Sequence, residues 1–385
     1  MNAPPPAPER GGLRELVLYF LRLGTVGFGG PVALVGAMQR DLVEARRAIP
    51  REDFLEGLAL AQLAPGPLAA QLAMYLGWLR GGPAGAALTG IAFVAPSFLM
   101  VVALAVGYVQ YGGGWMRAAF YGIGAAAIAV MARSATRILA VTLGRDRLLW
   151  SIATATALAT FWTESEILWI VGLGGALVLF VRGLRREHRG AAAMLVPPWL
   201  FQGLHGAASG DTLVRVAVYF AKAGAFVFGS GLAIVPFLHA GVVGEYRWLD
   251  ERQFLDAVAV AMITPGPVVI TVAFIGYLVG GLAGAVVAAL ATFVPCYVFT
   301  VLPAPYYRQL ARNPQIRAFV QGVTAAATGA IAGAVLVLGR RALIDVPTVT
   351  IAAATLLVRR RLETVPEPVV ILLAGVAGLL LRGRA

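Results

Sequence analysis

Residues 54–67 read FLEGLALAQLAPGP, and residues 254–267 read FLDAVAVAMITPGP. The copies lie 200 positions apart, and the same offset aligns an earlier glycine-rich stretch. Phe20, Arg22 and Gly24 lead to Phe28-Gly29-Gly30-Pro31; Phe220, Lys222 and Gly224 lead to Phe228-Gly229-Ser230-Gly231. The physical oddity is Pro-Gly-Pro inside long apolar sequence, as Pro65-Gly66-Pro67 and again as Pro265-Gly266-Pro267. Each pair of prolines removes two backbone donors and the glycine between them adds freedom, so no ordinary helix runs through unbroken. In a bilayer such a break survives only where protein or a water-filled cavity satisfies the freed polar groups. Matching Gly/Pro interruptions in two halves of a membrane chain point to a substrate site between those halves.

Composition agrees with a membrane setting. Of 385 residues, 59% are hydrophobic and 13% charged, with a mean hydropathy of +0.80. Soluble domains carry about 25% charged residues. The 46 glycines suit membrane helices that approach closely. The net charge of +12 comes almost wholly from arginine. Its arginines fall in short gaps between apolar stretches, as the positive-inside rule places them, which argues against a nucleic-acid partner. The one cysteine, Cys296, forms no intrachain disulfide.

Residues 1–12 read as a proline-rich tail, with no signal-peptide pattern behind them. A first membrane half is expected over 13–181, a linker over 182–212, and a second half over 213–385. In the first half, one span is expected from Leu13 to Phe28, with a second apolar element from Val32 to Val43. The stretches 54–64 and 68–79 flank the break, and each is short of the roughly 20 residues a crossing needs. They form a re-entrant hairpin or one broken crossing. Full spans follow at 84–109 and 116–143, the latter with Arg133 and Arg137 one turn apart, then shorter runs at 148–162 and 166–181. The second half repeats this order, with a slip of one residue at Gly81-Gly82, which match Gly280-Gly281, and at Pro96, which matches Pro295. Arginine-bearing gaps around 40–51, 80, 145–147 and 182–189 put one side of the first half in the cytoplasm. Charge does not orient the second half.

Catalytic chemistry has little to work with. His188, His205 and His239 fit no metal-ligand pattern, and Gly24 to Gly29 lacks the strand that a nucleotide-binding loop needs. No metal or cofactor is expected. Arg22 and Lys222 occupy equivalent positions; they snorkel to an interface, or they supply paired cations for an anion. Glycines at 27–30 and 229–231 serve close packing, or they expose backbone N–H groups and helix starts to a substrate. Gln39, Gln62, Ser230 and Thr264 are donors for oxyanion oxygens or for neighbouring helices. Glu56 and Asp256 are equivalent acids ahead of each break, and either carry a coupling proton or partner a helix dipole.

With Gly27-Phe28-Gly29-Gly30-Pro31, Ala61-Gln62-Leu63-Ala64-Pro65-Gly66-Pro67 and their second-half echoes, the chain resembles the chromate ion transporter family in its long, two-domain form. The match covers essentially the whole chain. The resemblance implies chromate efflux across the bacterial cytoplasmic (inner) membrane, driven by the proton-motive force and conferring chromate resistance, with sulfate as competing oxyanion. It also implies halves inserted in opposite orientations. Carried over residue by residue, Arg22, Gly29, Gly30, Pro31, Gln62 and Pro65, Gly66, Pro67 fit the first-half pattern. Lys222, Gly229, Gly231 and Pro265, Gly266, Pro267 fit the second. Two departures stand out: Leu34 and Leu232 occupy positions where many relatives carry histidine, and Ala48 replaces a tryptophan that survives as Trp248. The missing histidines weaken any mechanism in which histidine moves the proton or the anion.

The expectation is therefore an all-α integral membrane protein, not an enzyme. Two homologous halves, as inverted repeats, place broken or re-entrant helices around a central anion site. A homodimer in the lipid bilayer is compatible with this. Rival readings are a channel or carrier for sulfate-like or organic anions and, outside transport, a membrane enzyme or a structural membrane protein.

Overall fold

The computed structural model describes residues 12–28, 30–111, 114–163, 176–178, 210–226, 231–306, 313–362 and 365–382. The expected tail, the run 166–181 and the linker 182–212 fall almost wholly outside them. The described residues are helical, without a strand. The first half holds α1 (Leu13–Val26), α2 (Gly30–Met38), α3 (Arg51–Leu63), α4 (Leu68–Tyr111), α5 (Gly114–Leu143) and α6 (Arg147–Thr163). The second holds α7 (Gly210–Phe226), α8 (Ile234–Leu238), α9 (Glu251–Ile263), α10 (Thr271–Val301), α11 (Pro314–Ala342), α12 (Val346–Arg361) and α13 (Glu367–Arg382).

Duplication reaches the backbone. A wide π-helical turn closes α2 at Gln39–Ala45 and recurs after α8 at His239–Glu245. Arg47 and Arg247 both sit at φ 50°, and Gly66 and Gly266 at φ 141° and 97°. Gly81 and Gly280 share φ/ψ of −149°/22° and −145°/25°. His239, inside the second π-turn, is buried with its ring nitrogen 3.0 Å from the Glu251 carboxylate, which also pairs with Arg341. That cluster ties the π-turn to the start of α9 and the end of α11.

Several helices are arms of hairpins. Within α4 the chain reverses at Gly81-Gly82, where Gly82 takes φ 58°. The Thr89 hydroxyl then donates to the Ala73 carbonyl at 2.9 Å, and Gly77 lies so close to Gly85 that neither has room for a Cβ. So 68–80 and 83–111 run back on each other. The arms α3 and 68–80 also fold together, because Gly57 packs on Tyr75 and Leu72. Their far ends meet, since the Arg80 guanidinium donates to the Ala48 carbonyl. An apolar stripe on α1 (Leu16, Tyr19, Phe20, Leu23, Gly24) packs along 83–111, with Gly24 against the Phe93 backbone. In the stretch 13–28, α1 holds 14 residues, about 21 Å in length against a hydrocarbon core of about 30 Å. After α1 the chain returns through α2, bringing Arg46 over the Tyr19 ring. The second half repeats the glycine contacts, Gly276 with Gly284 and Gly224 with the Thr292 backbone, and there Tyr219 also donates to the Phe237 carbonyl at 2.8 Å.

The halves interlock. α6 lies along α11, with Gly329 and Gly333 closing on the Ala153 and Ala157 carbonyls. α12 and α13 pack on α5, where Gly122 closes on Ala374 and Gly378 on Ala118. α4 packs on α10: Tyr108 stacks edge-on to Phe274, and the Tyr297 hydroxyl donates to the Pro83 carbonyl at 3.0 Å. Small residues let backbones touch, so dispersion supplies the attraction that apolar burial cannot supply among lipid tails.

Candidate functional site

Each half carries two hairpin tips toward the other half. The tips are the turn between α1 and α2, the segment at Gly231–Ala233 that opens into α8, and the two Pro-Gly-Pro breaks. They touch across the halves where the Gly266 N–H donates to the Gly27 carbonyl at 2.8 Å. Ser97 fills the angle, donating to the Gly24 carbonyl at 3.3 Å and leaving Gly266 no room for a Cβ. At the first break, Gln71 donates to the Pro65 carbonyl at 2.6 Å and abuts Gly66. The breaks are therefore braced turns, the first by a buried glutamine side chain and the second by a backbone carbonyl of the other half.

A cavity of about 700 Å³ opens where the tips meet. That is room for on the order of twenty waters. Phe28, Gly30, Pro31 and Leu232 line it from the glycine tips; Gln62, Leu68, Thr264, Gly266 and Val268 line it from the breaks. α5 contributes Arg133, Ser134, Arg137 and Thr142, and α11 contributes Gln321, Thr324 and Thr328. Arg359 of α12 and Glu367 of α13 complete the charged lining. Three arginines face one glutamate, leaving two positive charges over. Arg133 and Arg137 stand one turn apart on one helix, a like-charge pair that an anion would relieve.

The sequence-derived residues divide around this cavity. Gly30 (at φ 72°), Pro31, Gln62, Thr264 and Gly266 line it. Pro65, Gly66, Pro67, Pro265, Pro267 and Gly231 stand behind the lining and shape it. The Thr264 hydroxyl donates into its own helix, to the Val260 carbonyl at 2.5 Å. Gly29, Gly229 and Ser230 lie outside the described residues. Arg22 does not line the cavity; it is exposed on the face of α1 that also carries Leu18 and Val26, and Lys222 is half-buried on α7, away from the lining. Glu56 and Asp256 also stand off the cavity, and Asp256 is buried and accepts from the Tyr108 hydroxyl at 2.8 Å. Gln39 pairs with Glu44 at 3.1 Å. The charged residues the sequence did not assign to a site are Arg133, Arg137, Arg359 and Glu367. Of these, the α5 pair carried a visible signal: two arginines inside a full-length apolar span. No group of His, Cys, Asp and Glu that could hold a metal occurs among the described residues.

Comparison with known proteins gives a consistent picture. The family model described as "Chromate transporter" matches residues 14–179 and again 214–379. A "Chromate transport protein" of Cupriavidus metallidurans is 56% identical over 372 residues, covering 95% of this chain and 92% of its own length. A "Probable chromate transport protein" of Synechococcus elongatus is 53% identical over 377 residues, covering 96% and 95%. A "Chromate transport protein" of Pseudomonas aeruginosa is 32% identical over 387 residues, covering 95% and 92%. No solved structure matches the chain.

Proposed function

The chain belongs to the chromate transporter family, and from that premise we propose that it exports chromate across the bacterial inner membrane, coupled to the proton-motive force, and so confers chromate resistance. One observation carries the site: a cavity bounded by hairpin tips from both halves holds three arginines and one glutamate. A tetrahedral dianion entering a low-dielectric space needs about two compensating charges and several donors. The surplus charge meets the first need. Gln62 and Gln321, both exposed to solvent-filled space, serve the second. Guanidinium groups grip oxyanions through paired N–H bonds, which suits Arg133 and Arg137 to the role.

Alternating access follows from the halves being inverted repeats with re-entrant hairpins. Three observations support that reading. Arg80 reaches back to Ala48, so the hairpin through the first break starts and ends on one face. Homologous helices meet in opposite sense: Tyr121, near the start of α5, donates to Asp345, just beyond the end of α11, at 2.5 Å. Farther along, Ile128 packs on Gly339. Arg252, at the start of α9, reaches the Arg117 carbonyl at the start of α5, at the end of the molecule away from Ala48 and Arg80. Sulfate, of like shape and charge, is the competing ion.

The test is chromate flux and affinity in proteoliposomes holding the purified chain, with and without a pH gradient. Flux should depend on the gradient, and sulfate should compete. Arg133→Gln and Arg137→Gln should each weaken affinity by more than about tenfold, the cost of truncating one side of a buried charge contact. Arg22→Gln and Lys222→Gln decide whether the paired cations at the α1 and α7 positions bind the ion as well. An unchanged affinity in both α5 variants would remove the cavity from the site.

A further inference from the structure

The turn from α12 to α13 places an ion pair on the cavity wall. The Arg359 Nη2 donates to Glu367 Oε1 at 3.0 Å, and Nη1 donates to the Val365 carbonyl. The two side chains are 12% and 21% exposed. Both line the cavity that Arg133 and Arg137 line from α5, and Glu367 is the one acid among the described lining residues. An ion pair withdrawn this far from water seldom offsets its own desolvation, and apolar packing of like volume is often as stable. Stability alone is therefore a weak reason for a carboxylate here. The α5 arginines also stand apart from the repeat, since the residues 200 positions after Arg133 and Arg137 are Gly333 and Val337. These charges belong to one site and not to the packing that the halves share.

We propose that Glu367 is a specificity-determining residue, a fixed counter-charge that offsets Arg359 so that the cavity holds a divalent oxyanion loosely enough to release it. This rests on the chromate-export reading above and names the residue that matches the site to the charge of its ion. Glu367 stays ionised beside Arg359 and moves no proton. With that pair neutral, the charge left over in the described lining equals that of a dianion, so the loaded cavity is close to neutral. A monovalent ion would leave one positive charge uncompensated in a low-dielectric space, which is costly. Without the carboxylate, a third cation would hold the dianion more tightly. A carrier gains nothing from that, because transport needs binding strong enough to load and weak enough to unload.

Neighbouring charges do not take this part. Of the charged groups on the elements packed against α13, Arg133 and Arg137 of α5 and Arg359 of α12 share its cavity. Asp256 of α9 is engaged by Tyr108 and stands off the lining, while Glu251 of α9 is held by His239 and Arg341. Arg360 and Arg361 of α12 are exposed and do not line the cavity. The Arg359 Nε is buried without a hydrogen-bond partner, so the guanidinium is held by the pair but not saturated by it. Its charge is therefore available to the anion once the carboxylate no longer offsets it.

The experiment measures equilibrium binding of three tetrahedral oxyanions to the purified full chain in detergent at alkaline pH. Chromate and sulfate are divalent there, and perchlorate is monovalent. Glu367→Gln should bind both divalent ions about tenfold more tightly and perchlorate only about threefold, because the gain scales with the product of the charges. In proteoliposomes the same variant should show a lower KM together with a lower maximal rate, the mark of a site that grips its ion too well. Glu367→Asp keeps the charge and should stay near the parent. Arg359→Gln should lose more than about tenfold in chromate affinity, and adding E367Q to it should return most of that loss, since the charge balance is restored. The counter-charge role falls if folded E367Q binds divalent ions no more tightly, if perchlorate gains as much as chromate, or if the double variant stays as weak as R359Q. Those outcomes leave chromate transport standing, whereas a parent that neither binds nor moves chromate overturns the export reading and the counter-charge together.

Discussion

Gly24 and Gly224 show how far one missing side chain can matter here. Each lies against a backbone carbonyl of the long helix beside it, at Phe93 and Thr292, with no space for a methyl group. Gly24→Ala and Gly224→Ala should each destabilise the protein by about 1–3 kcal/mol through overpacking, read as a lower unfolding midpoint in detergent. Ser97→Ala removes one hydrogen bond to the Gly24 carbonyl and should cost about 1 kcal/mol or less. The acids make a second contrast. Asp256 is buried and bridged to Tyr108 across the halves, while Glu367 lines the cavity. Asp256→Asn should lower the unfolding midpoint in detergent, because its buried side chain accepts from the Tyr108 hydroxyl across the halves. The sequence singled out Asp256 because it repeats Glu56, and it passed over Glu367. Repetition marks shared packing, but it says nothing about which acid lines the cavity, a matter set by how α12 and α13 dock on the other half.

At the level of elements, the decisive parts are turns. Gly82 and Gly281 reverse the chain at φ 58° and 61° with open space around them. A side chain there meets only the left-handed backbone penalty, roughly 1–2 kcal/mol for ordinary residues and less for asparagine. Gly82→Asn should therefore give well-folded protein, and Gly82→Val a visibly lower yield and unfolding temperature. Gly266 is different, since its φ of 97° is combined with the Ser97 hydroxyl where a Cβ would go. Gly266→Ala should shift the break itself and reduce chromate affinity, with a smaller effect in a Ser97→Gly background. These breaks were legible in the sequence, because proline and glycine act on their own backbone. The early reversal of α1 was harder to read. Residues 13–28 read as a span, and nothing in their apolar pattern marks where the helix ends and the chain returns. The pairing of α5 with α12 and α13 was not legible, since an alanine- and glycine-rich face fits many partners.

For the whole molecule, the inverted arrangement predicts that Glu52 and Arg252, exposed residues at the same offset, open to opposite sides of the membrane. Single cysteines at these positions, with Cys296→Ser as background, should label from opposite sides in oriented vesicles. Labelling from one side would replace inverted by parallel repeats. The seams between the halves reach further, into how the protein is made. The groove that Gly122 leaves on α5 is filled by Ala374 and Gly378, which are synthesised only after the whole first half. Until they arrive, the newborn first half sits in lipid with its closest-fitting surface bare. Neither half made alone should accumulate, while two halves expressed together from separate messages should find each other and restore transport. The same dependence constrains ancestry: before two such copies were joined in one chain, they had to meet as separate partners in one membrane.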